Sequence, residues 1–289
     1  MKLSQLSVGA LVKDPNTKYN NDVIIWQVLE HGHTGDPSGS TTLQSRDILT
    51  LKCFDAMEPN NSDGNRKSKG NNRYKYSNIL QWLNSDKNNW YEAQHTYDEA
   101  PSSSYVGNTG SGSKSPYDTE AGFLTNFSKG FKKALMEVSK LSVVPSVDGG
   151  GSETVTSKVF IPSTTEVGFP NENNTAEGSI YSIYNTASNR IKNWQSSAKW
   201  WWLRTPYYSL SFCTRDVESN GTTNNNNNYY NSVYSDFGIA PALCISSDTE
   251  VSDTPDASNV YTLQFAPSCV KAYIGDENGE AKLVWEKEV

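Results

Sequence analysis

Side chains that suit ligand recognition are concentrated in one stretch of the chain, residues 207–237. The candidates for ligand contact are mostly ring-bearing or amide-bearing residues, namely Tyr207, Tyr208, Leu210, Phe212, Cys213, Asp216, Asn224, Asn226, Asn228, Tyr229, Tyr230, Asn231, Val233, Tyr234, Asp236 and Phe237. Tyrosine presents a large amphipathic ring at a low cost in rotamer entropy, and asparagine forms adaptable hydrogen bonds. This composition predicts a solvent-facing surface that binds a ligand, and no residue of the stretch is assigned to catalysis.

The run of asparagines from Asn224 to Asn228 has a second interpretation. Asn tracts are typical of solvated, low-complexity loops, which need no ligand to explain them. The rings on either side favour a binding surface, because exposed Tyr and Phe side chains in number usually mark an interaction site. The best candidates for aromatic anchors are therefore Tyr207, Tyr208, Phe212, Tyr229, Tyr230 and Tyr234.

Other residues that could do chemistry lack the spacing that the chemistry needs. His31 and His33 place two imidazoles close together, but no third ligand for a metal is identifiable. The thiols are too far apart in sequence for a zinc or redox pair, and we expect them to be reduced and partly buried: Cys53, Cys213, Cys244 and Cys269. The sequence therefore predicts no catalytic residue, no metal and no cofactor.

The composition argues against several classes of protein. The chain has 289 residues, of which 35% are hydrophobic and 11% aromatic, so it can bury a large core. Its formal net charge of −7 argues against nucleic acid as a partner, which would need a basic face. No apolar stretch is long enough to span a bilayer, and the first residues lack the apolar core of a signal peptide. We expect a protein or cell-surface ligand as partner, no membrane insertion and no export by the general secretory route.

Two segments of core character flank the candidate stretch. Residues 200–206 and 238–243 carry aromatic and aliphatic side chains, which predicts buried strands. Because side chains alternate across a strand, Trp200 and Trp202 should lie on one face and Trp201 on the other, and at least one face must be core. Carbohydrate stacking by one of these indoles is a second interpretation, although large aromatic side chains are mostly buried.

The other patterns predict strands and helices that are segregated along the chain. Residues 23–29 and 47–54 are β-branched or aromatic runs and predict strands, whereas the polar residues 60–72 predict a surface loop. Segregated elements of both kinds are typical of an α+β fold with antiparallel strands and long loops.

About three helices are expected. Ser77 is suited to cap the first, and residues 180–191 carry apolar side chains at helical spacing. The helix with the clearest pattern should cover residues 120–138, where an apolar residue recurs every four positions at Phe123, Phe127, Phe131 and Leu135.

The predicted organisation is one large domain followed by a small extension. Residues 1–245 form the ligand-binding domain, and the acidic, polar residues 246–259 read as a linker. Residues 260–289 should form a C-terminal β-hairpin extension, with its tight turn at Asn278-Gly279.

Five short motifs carry a resemblance to a known family. They are Trp201-Trp202-Leu203-Arg204-Thr205-Pro206, Gly238-Ile239-Ala240-Pro241-Ala242-Leu243, Ser163-Thr164-Thr165-Glu166-Val167-Gly168, Thr119-Glu120-Ala121-Gly122-Phe123-Leu124 and Asn78-Ile79-Leu80-Gln81-Trp82-Leu83-Asn84. Together they resemble the variable proteins of diversity-generating retroelements, in the branch found in phages and gut bacteria. The resemblance extends over most of residues 23–252. The closing motif departs from the family's pattern, which usually has Arg where this chain has Ala240.

The resemblance implies a fold and a way of making diversity. The fold would be the C-type-lectin fold shared with formylglycine-generating enzymes, with a variable region at about residues 200–245. A reverse transcriptase errs at adenines while it copies a template repeat, and the copy replaces the variable repeat, so residues 207–237 would be diversified.

The function implied by the resemblance is non-enzymatic, hypervariable binding of a receptor or other target. The protein would act on a phage virion, on a bacterial cell surface or in the bacterial cytoplasm. Two alternatives come from other classes of protein. One is a lectin that binds a defined glycan, and the other is an oxidase like the formylglycine-generating enzymes, which would need a reactive cysteine pair that binds copper.

Overall fold

The apolar runs of the sequence form two large sheets. The computed structural model describes residues 1–107, 114–222, 230–232, 236–265, 270–277 and 280–287. Seven strands form the larger sheet: β1 (Leu11–Tyr19), β2 (Asp22–His31), β3 (Ser40–Ser45), β7 (Val159–Phe160), β14 (Ala242–Ser246), β15 (Glu250–Val251) and β16 (Val260–Gln264). Their order across the sheet is β15-β16-β1-β2-β3-β14-β7. Neighbours are antiparallel except β1 and β16, which run parallel with Leu11 opposite Val260.

The second sheet carries the segments that flank the candidate stretch. Its five strands are β4 (Thr50–Cys53), β10 (Trp201–Pro206), β11 (Cys213–Val217), β12 (Tyr230–Ser232) and β13 (Asp236–Ile239), in the order β12-β11-β10-β13-β4. Only β10 and β13 are parallel among these pairs, with Trp201 opposite Gly238. The first predicted framework segment is therefore the central strand β10, whereas the second begins in β13 beside it and continues in β14 of the larger sheet.

Six more strands form two-stranded pairs. They are β5 (Val138–Val143) with β6 (Ser152–Ser157), β8 (Lys192–Trp194) with β9 (Ser197–Lys199), and β17 (Val270–Glu277) with β18 (Glu280–Lys287). Glu277 lies opposite Glu280, so β17 and β18 are joined by a two-residue connection, as the sequence predicts. The predicted turn residues Asn278 and Gly279 lie outside the described residues.

Helices are short throughout the described chain. Its four α-helices are α1 (Gly64–Lys69), α2 (Asn78–Leu83), α3 (Lys129–Ala134) and α4 (Ala187–Arg190). Single 3₁₀ turns cover Leu3–Gln5, Tyr74–Tyr76, Phe123–Asn126, Ser146–Asp148, Glu172–Asn174 and Ser182–Tyr184. None of the helices in the described ranges has the length and apolar character needed to cross a membrane. The fold is mixed α+β with mostly antiparallel strands, as predicted.

The helix predictions are confirmed in part. Ser77 caps α2, because its hydroxyl accepts a hydrogen bond from the main-chain N–H of Leu80. The single helix predicted for residues 120–138 is wrong. Phe127 is extended there, and the hydroxyl of Ser128 accepts from Phe131 N and starts a new helix. Val138 already belongs to a strand, and the buried rings come from a 3₁₀ turn (Phe123), the extended residue after it (Phe127) and α3 (Phe131).

The helix predicted for residues 180–191 is also wrong as one element. It is divided into the 3₁₀ turn Ser182–Tyr184 and the single turn α4, with Thr186 extended between them. Its apolar side chains do not share one face, since Tyr181 and Tyr184 are buried whereas Ile180 and Ile191 are exposed.

Trp201 and Trp202 belong to separate parts of the core. Both are fully buried in β10. The ring of Trp202 packs in the larger cluster, with its centroid 4.6 Å from that of Phe237. Trp201 packs in a second cluster with Leu203 and Val217. The predicted alternation is confirmed, and both faces of β10 are core.

The main sheet extends past the boundary predicted at residue 245. β16 was assigned to the C-terminal extension, but it pairs with β1 inside the seven-stranded sheet. β15 lies within the predicted linker and pairs with β16, with Val251 opposite Leu263. Val260 and Leu263 are buried, so these two residues of the predicted C-terminal extension belong to the core of the main domain.

Candidate ligand-binding face

The first part of the candidate stretch forms the loop that joins β10 to β11. This β10–β11 loop consists of residues 207–212. Tyr207, Tyr208, Leu210 and Phe212 are partly exposed in it. Four of the predicted contact side chains are therefore accessible from one short segment.

Asn72 fastens the loop to the body of the protein. Its side-chain Nδ2 donates to the carbonyl oxygens of Leu210 and Cys213, each at 2.7 Å, and lies 3.3 Å from that of Tyr207. Asn72 is fully buried. A buried amide that finds carbonyl partners along one loop fixes the path of that loop, because moving the loop would leave the amide unsatisfied.

Arg66 in α1 supports the same loop from its other side. Its Nε donates to the carbonyl of Ser211 at 3.1 Å, and its terminal nitrogens form two hydrogen bonds to Asp148, at 2.8 and 2.6 Å. Such a bidentate pair holds the guanidinium in one orientation. The helix itself begins at Asp63, whose carboxylate accepts from the N–H groups of Asn65 and Arg66.

Tyr208 is held through its main chain by two further segments. Its N–H donates to Glu172 Oε1 at 2.9 Å, and its carbonyl accepts from Ser146 N at 2.9 Å. The loop is thus held by residues 66–72, 146 and 172, and in each of these contacts the atom on the loop belongs to the main chain.

Side chains of the loop contact cations and a glycine turn. The Arg215 guanidinium lies 4.5 Å from the centroid of the Tyr207 ring and pairs with Glu172, with Nε and Oε2 2.7 Å apart. The Lys69 ammonium lies 4.1 Å from the centroid of the Phe212 ring. Cation–ring contacts of this kind orient an exposed ring without burying it. The hydroxyl of Tyr208 lies against Gly150, where a Cβ atom would approach it to 2.7 Å.

Three predicted contact residues are not exposed, which corrects the expectation that the stretch faces solvent throughout. Cys213 and Asp216 are 2% and 1% exposed, because β11 lies between β10 and β12 and is covered on both faces. Asp236 is 8% exposed in β13, and burial raises its pKa to about 6. Phe237 is half-buried, and its ring lies 5.9 Å from Trp200.

The remaining predicted contact residues are described only in part. Tyr230 and Asn231 belong to β12, the edge strand beside β11, where Asn231 lies opposite Thr214 and Tyr230 opposite Arg215. Six predicted positions lie outside the described residues: Asn224, Asn226, Asn228, Tyr229, Val233 and Tyr234. The edge position of β12 puts its main chain next to the strand that leaves the β10–β11 loop.

Behind the loop, Arg204 centres a buried polar network. Its guanidinium pairs with Glu166, with Nη1 and Oε2 2.5 Å apart, and donates to the carbonyls of Leu141, Ile161 and Glu177. The guanidinium and its contacts with Glu166, Ile161 and Glu177 are buried, and the contact with Leu141 is partly buried. This arginine belongs to the Trp-Leu-Arg-Thr-Pro motif, so the motif joins β10 to three other segments.

The two buried carboxylates of the network have opposite properties. Burial by itself would raise the pKa of Glu166, but Arg204 and Lys140 beside it lower that pKa to about 2. Burial raises the pKa of Glu177 to about 7, because Arg204 and the hydroxyl of Thr205 compensate it less fully. Glu177 also accepts from the N–H of Val143 at 2.9 Å. These groups stabilise the framework and are closed to any substrate.

Asp55 positions Asn72 through the residue before it. The Asp55 carboxylate accepts from Asn71 N at 2.8 Å and from Asn78 N at 3.0 Å. Burial raises the pKa of Asp55 well above its usual range, and the nearby Asp98 adds to the effect. The segment that clamps the loop is therefore connected to the N-terminus of α2.

The described residues of this face include no metal site and no reactive thiol. Among the described residues, no three His, Cys, Asp or Glu side chains are grouped so that they could hold a metal ion. His31 bonds Thr41 and the carbonyl of Leu6, and His33 bonds Glu30. The described thiols are all buried, and burial raises the pKa of Cys53 well above its usual range and that of Cys244 to about 12.

Sequence reasoning missed the residues that hold the loop. The surface loop predicted for residues 60–72 contains α1, and Arg66, Asn71 and Asn72 are buried there. Asp63, a favoured N-cap residue, together with the basic residues Arg66, Lys67 and Lys69 towards the end of the turn, was a usable signal for α1. Nothing local in the sequence indicates that Asn72 bonds carbonyls about 140 positions away.

Comparison with family models matches residues 38–247 to a family described as a domain of unknown function, DUF6273. The match covers β3 through β14, including the β10–β11 loop and every residue that holds it. No curated protein and no solved structure matches the chain.

Proposed function

Because the chain belongs to the DUF6273 family, whose description states no activity, we infer its function from the candidate face: we propose a non-enzymatic ligand-binding protein. Its contact surface would be the β10–β11 loop together with the segment that follows β11. The ligand would be a protein or another molecule exposed on a cell surface.

One observation carries this proposal, namely that four residues outside the loop hold it through its main chain. Asn72, Arg66, Glu172 and Ser146 all bond carbonyl or N–H groups of residues 207–213. Every amino acid offers the same carbonyl group, so these supports do not depend on which side chains the loop carries. A loop built in this way can change its side chains and keep its shape, which suits a surface that recognises many targets.

The accessible side chains of the loop favour binding for a second reason. Tyr207, Tyr208 and Phe212 have few rotatable bonds, so ordering them against a partner costs little entropy. The contacts with Arg215 and Lys69 orient two of these rings before a ligand arrives. Aromatic side chains on a preorganised loop are suited to act as binding anchors.

We further propose that residues 207–237 are diversified by adenine-directed mutagenesis, and that the domain has the C-type-lectin fold of the family it resembles. The positions of the two framework motifs support this. Trp201–Pro206 forms β10, and residues 238–243 lead from β13 into β14. At the departure from the family's pattern, Ala240 is buried and its carbonyl accepts from Gln44 Nε2 at 2.8 Å. The Ala240 side chain itself packs in the apolar cluster that contains Trp201 and Leu203.

A lectin remains the second candidate because of one residue. Trp200 is half-buried beside Phe237, and a partly exposed indole ring at this position suits stacking on a sugar ring. The oxidase has less support, because the burial that raises the pKa of Cys53 and Cys244 disfavours the thiolates that copper would require.

Two libraries of equal size test the proposal by surface display. The first randomises Tyr207, Tyr208, Leu210 and Phe212, and the second randomises Cys213, Thr214, Asp216 and Val217. We expect the first library to remain folded and to yield variants that each bind a different unrelated protein, and the second to lose folded clones. A first library that fails to fold, or that yields no binders, would contradict the proposal. Binding to one glycan that persists across the first library and is lost in Trp200→Ala would favour the lectin.

The genome around the coding sequence tests the diversification separately. We expect a near-copy of the codons for residues 200–245 that differs at adenines, next to a reverse-transcriptase gene. Their absence from the source genome would contradict diversification and leave the binding proposal standing.

A further inference from the structure

A second concave surface, remote in sequence from the β10–β11 loop, gathers positive charge. This cleft has a volume of about 340 Å³. Its lining consists of Asp86, Leu124, Lys129, Lys132, Lys133, Leu135 and Lys158. Four of these seven residues are lysines, in a chain whose formal net charge is −7.

The lysines are grouped by the secondary structure. Lys129, Lys132 and Lys133 are spaced i, i+3 and i+4 in α3, so they share one face of that helix. Lys158 comes from the link between β6 and β7. Like charges on one helix face repel each other, and the repulsion is relieved when an anion lies among them.

The cleft contains too little negative charge of its own to balance them. Its single carboxylate is that of Asp86, whose Oδ2 lies 3.9 Å from Lys132 Nζ. Within the described part of the chain, no ion pair involves the ammonium groups of Lys129, Lys133 or Lys158, and all three side chains are exposed. Three positive charges therefore face the cleft without a partner on the described protein.

The walls of the cleft are fixed in place. Asn84 Oδ1 accepts from the main-chain N–H groups of Lys158 and Val159, both at 2.9 Å. Leu124 N donates to the carbonyl of Ser85 at 2.9 Å, which ties the segment before α3 to the segment of Asp86. On the opposite side of α3, Phe131 is buried and stacks on Phe265, with 5.1 Å between ring centroids. The ammonium groups are thus carried by a rigid backbone, which reduces the cost of ordering them around a ligand.

We propose that this cleft binds a small phosphate-containing anion that carries more than one negative charge. The anion is either free or the headgroup of a lipid. Lysine ammonium groups bind phosphate as point charges and approach it from several directions. Leu124 and Leu135 are buried and form an apolar base, so the polar atoms of the ligand are directed to the lysine rim. The described residues that line the cleft include no aromatic ring, which argues against single-stranded nucleic acid because its bases would need rings on which to stack.

Calorimetric titration of the full chain with inorganic pyrophosphate tests the free anion. Cosedimentation with phosphatidylcholine vesicles that contain phosphatidic acid tests the headgroup, with pure phosphatidylcholine vesicles as the blank. We expect saturable binding in at least one arm, and binding that weakens as salt is added. Binding to pyrophosphate alone would identify the ligand as a free anion. Binding to vesicles alone would identify it as a lipid headgroup.

A matched pair of triple variants locates the site. The cleft variant is Lys129→Gln with Lys133→Gln and Lys158→Gln, and the control is Lys18→Gln with Lys114→Gln and Lys199→Gln, which removes the same charge from exposed lysines elsewhere. We expect the cleft variant to bind at least roughly tenfold more weakly and the control to stay within about twofold of the unaltered protein. Equal losses in the two variants, or no saturable binding by the unaltered protein in either arm, would overturn the proposal. Circular dichroism of both variants verifies that they are folded.

Discussion

The side-chain amide of Asn72 donates to the main-chain carbonyl of Leu210 across 2.7 Å, although the two residues are 138 positions apart. The same nitrogen also donates to the carbonyl of Cys213. One buried side chain therefore sets the path of the candidate binding loop, and it does so without touching the side chains that the loop displays.

Replacement of Asn72 by alanine should loosen the loop. The change removes the donor from several buried carbonyls, and we expect a loss of about 1–3 kcal/mol in the free energy of unfolding, measured in urea. Asn65→Ala is the control, because its exposed side chain in α1 makes none of these contacts. A stability loss in Asn72→Ala no larger than in Asn65→Ala would contradict the clamp.

Exposed and buried positions of the candidate stretch should respond differently to substitution. Leu210→Asn changes a partly exposed side chain, and we expect it to alter the free energy of unfolding by no more than about 1 kcal/mol. Cys213→Tyr forces a large ring into a site that is 2% exposed, and we expect a loss of at least about 2 kcal/mol. Thermal unfolding of the two variants checks the difference. Similar melting temperatures would refute the assignment of Leu210 as exposed and Cys213 as buried.

Arg204→Met should be among the most damaging changes. It leaves the Glu166 carboxylate buried without its guanidinium partner, and breaking a buried pair in this way costs about 3–5 kcal/mol. Arg46→Met serves as control, since Arg46 is exposed and lies 3.8 Å from an exposed Asp47; we expect a change below about 1 kcal/mol. Urea unfolding at neutral pH measures both, and a stable Arg204→Met protein would show that the network contributes little.

Stability should depend on pH through Glu177. Its pKa is raised from 4.5 to about 7 in the folded state, so the folded protein holds this proton more tightly than the unfolded chain. The resulting stabilisation is fully present below pH 4.5 and is lost as the pH rises through about 7, by about 3 kcal/mol. Urea unfolding of Glu177→Gln and of the unaltered protein across this range isolates the contribution. Parallel pH profiles would rule out the raised pKa.

The opposite trend is expected from Glu166 at lower pH. Its pKa is lowered from 4.5 to about 2, so its stabilisation is present above pH 4.5 and is lost as the pH falls towards 2. Glu177 thus lowers the free energy of unfolding at high pH, and Glu166 lowers it at low pH. In Glu177→Gln, the free energy of unfolding should still fall as the pH approaches 2.

Gly238 should not tolerate a methyl group. A Cβ atom there would lie 2.5 Å from Ile48 Cδ1 and 2.8 Å from the carbonyl oxygen of Trp200, which is main chain and cannot move aside. We expect Gly238→Ala to lower the free energy of unfolding by about 1–3 kcal/mol. At Gly64 a Cβ atom meets nothing within 4 Å, and alanine suits a helix, so Gly64→Ala should be neutral or stabilising. Equal melting temperatures for the two variants would contradict this packing.

Local patterns in the sequence predicted the elements that depend on local physics. The cap at Ser77 and the opposite faces of Trp201 and Trp202 follow from hydrogen-bonding groups and from strand alternation, and both are confirmed. The burial of Asp216 could not be read in the same way. It depends on β11 becoming an inner strand, which is decided by pairing with β12 and β10.

The helix predicted over residues 120–138 failed for a related reason. A four-residue apolar period constrains which side chains are buried but not the conformation of the backbone. Phe123, Phe127 and Phe131 all reach the core although the helix is interrupted at Phe127. The clamp formed by Asn72 was missed because polar residues in a loop-like segment do not reveal a partner that is distant in sequence.

The parallel pairing of β1 with β16 has a consequence for biosynthesis. Leu11 emerges from the ribosome long before Val260, its neighbour in the sheet, so the outer edge of β1 stays uncovered until the chain up to Val260 has been translated. Closing so long a loop is slow, and it makes completion of the sheet a late event in folding. The β10–β11 loop, with whatever side chains it carries, is synthesised before that event, so the nascent chain must keep the open edge of β1 from aggregating throughout.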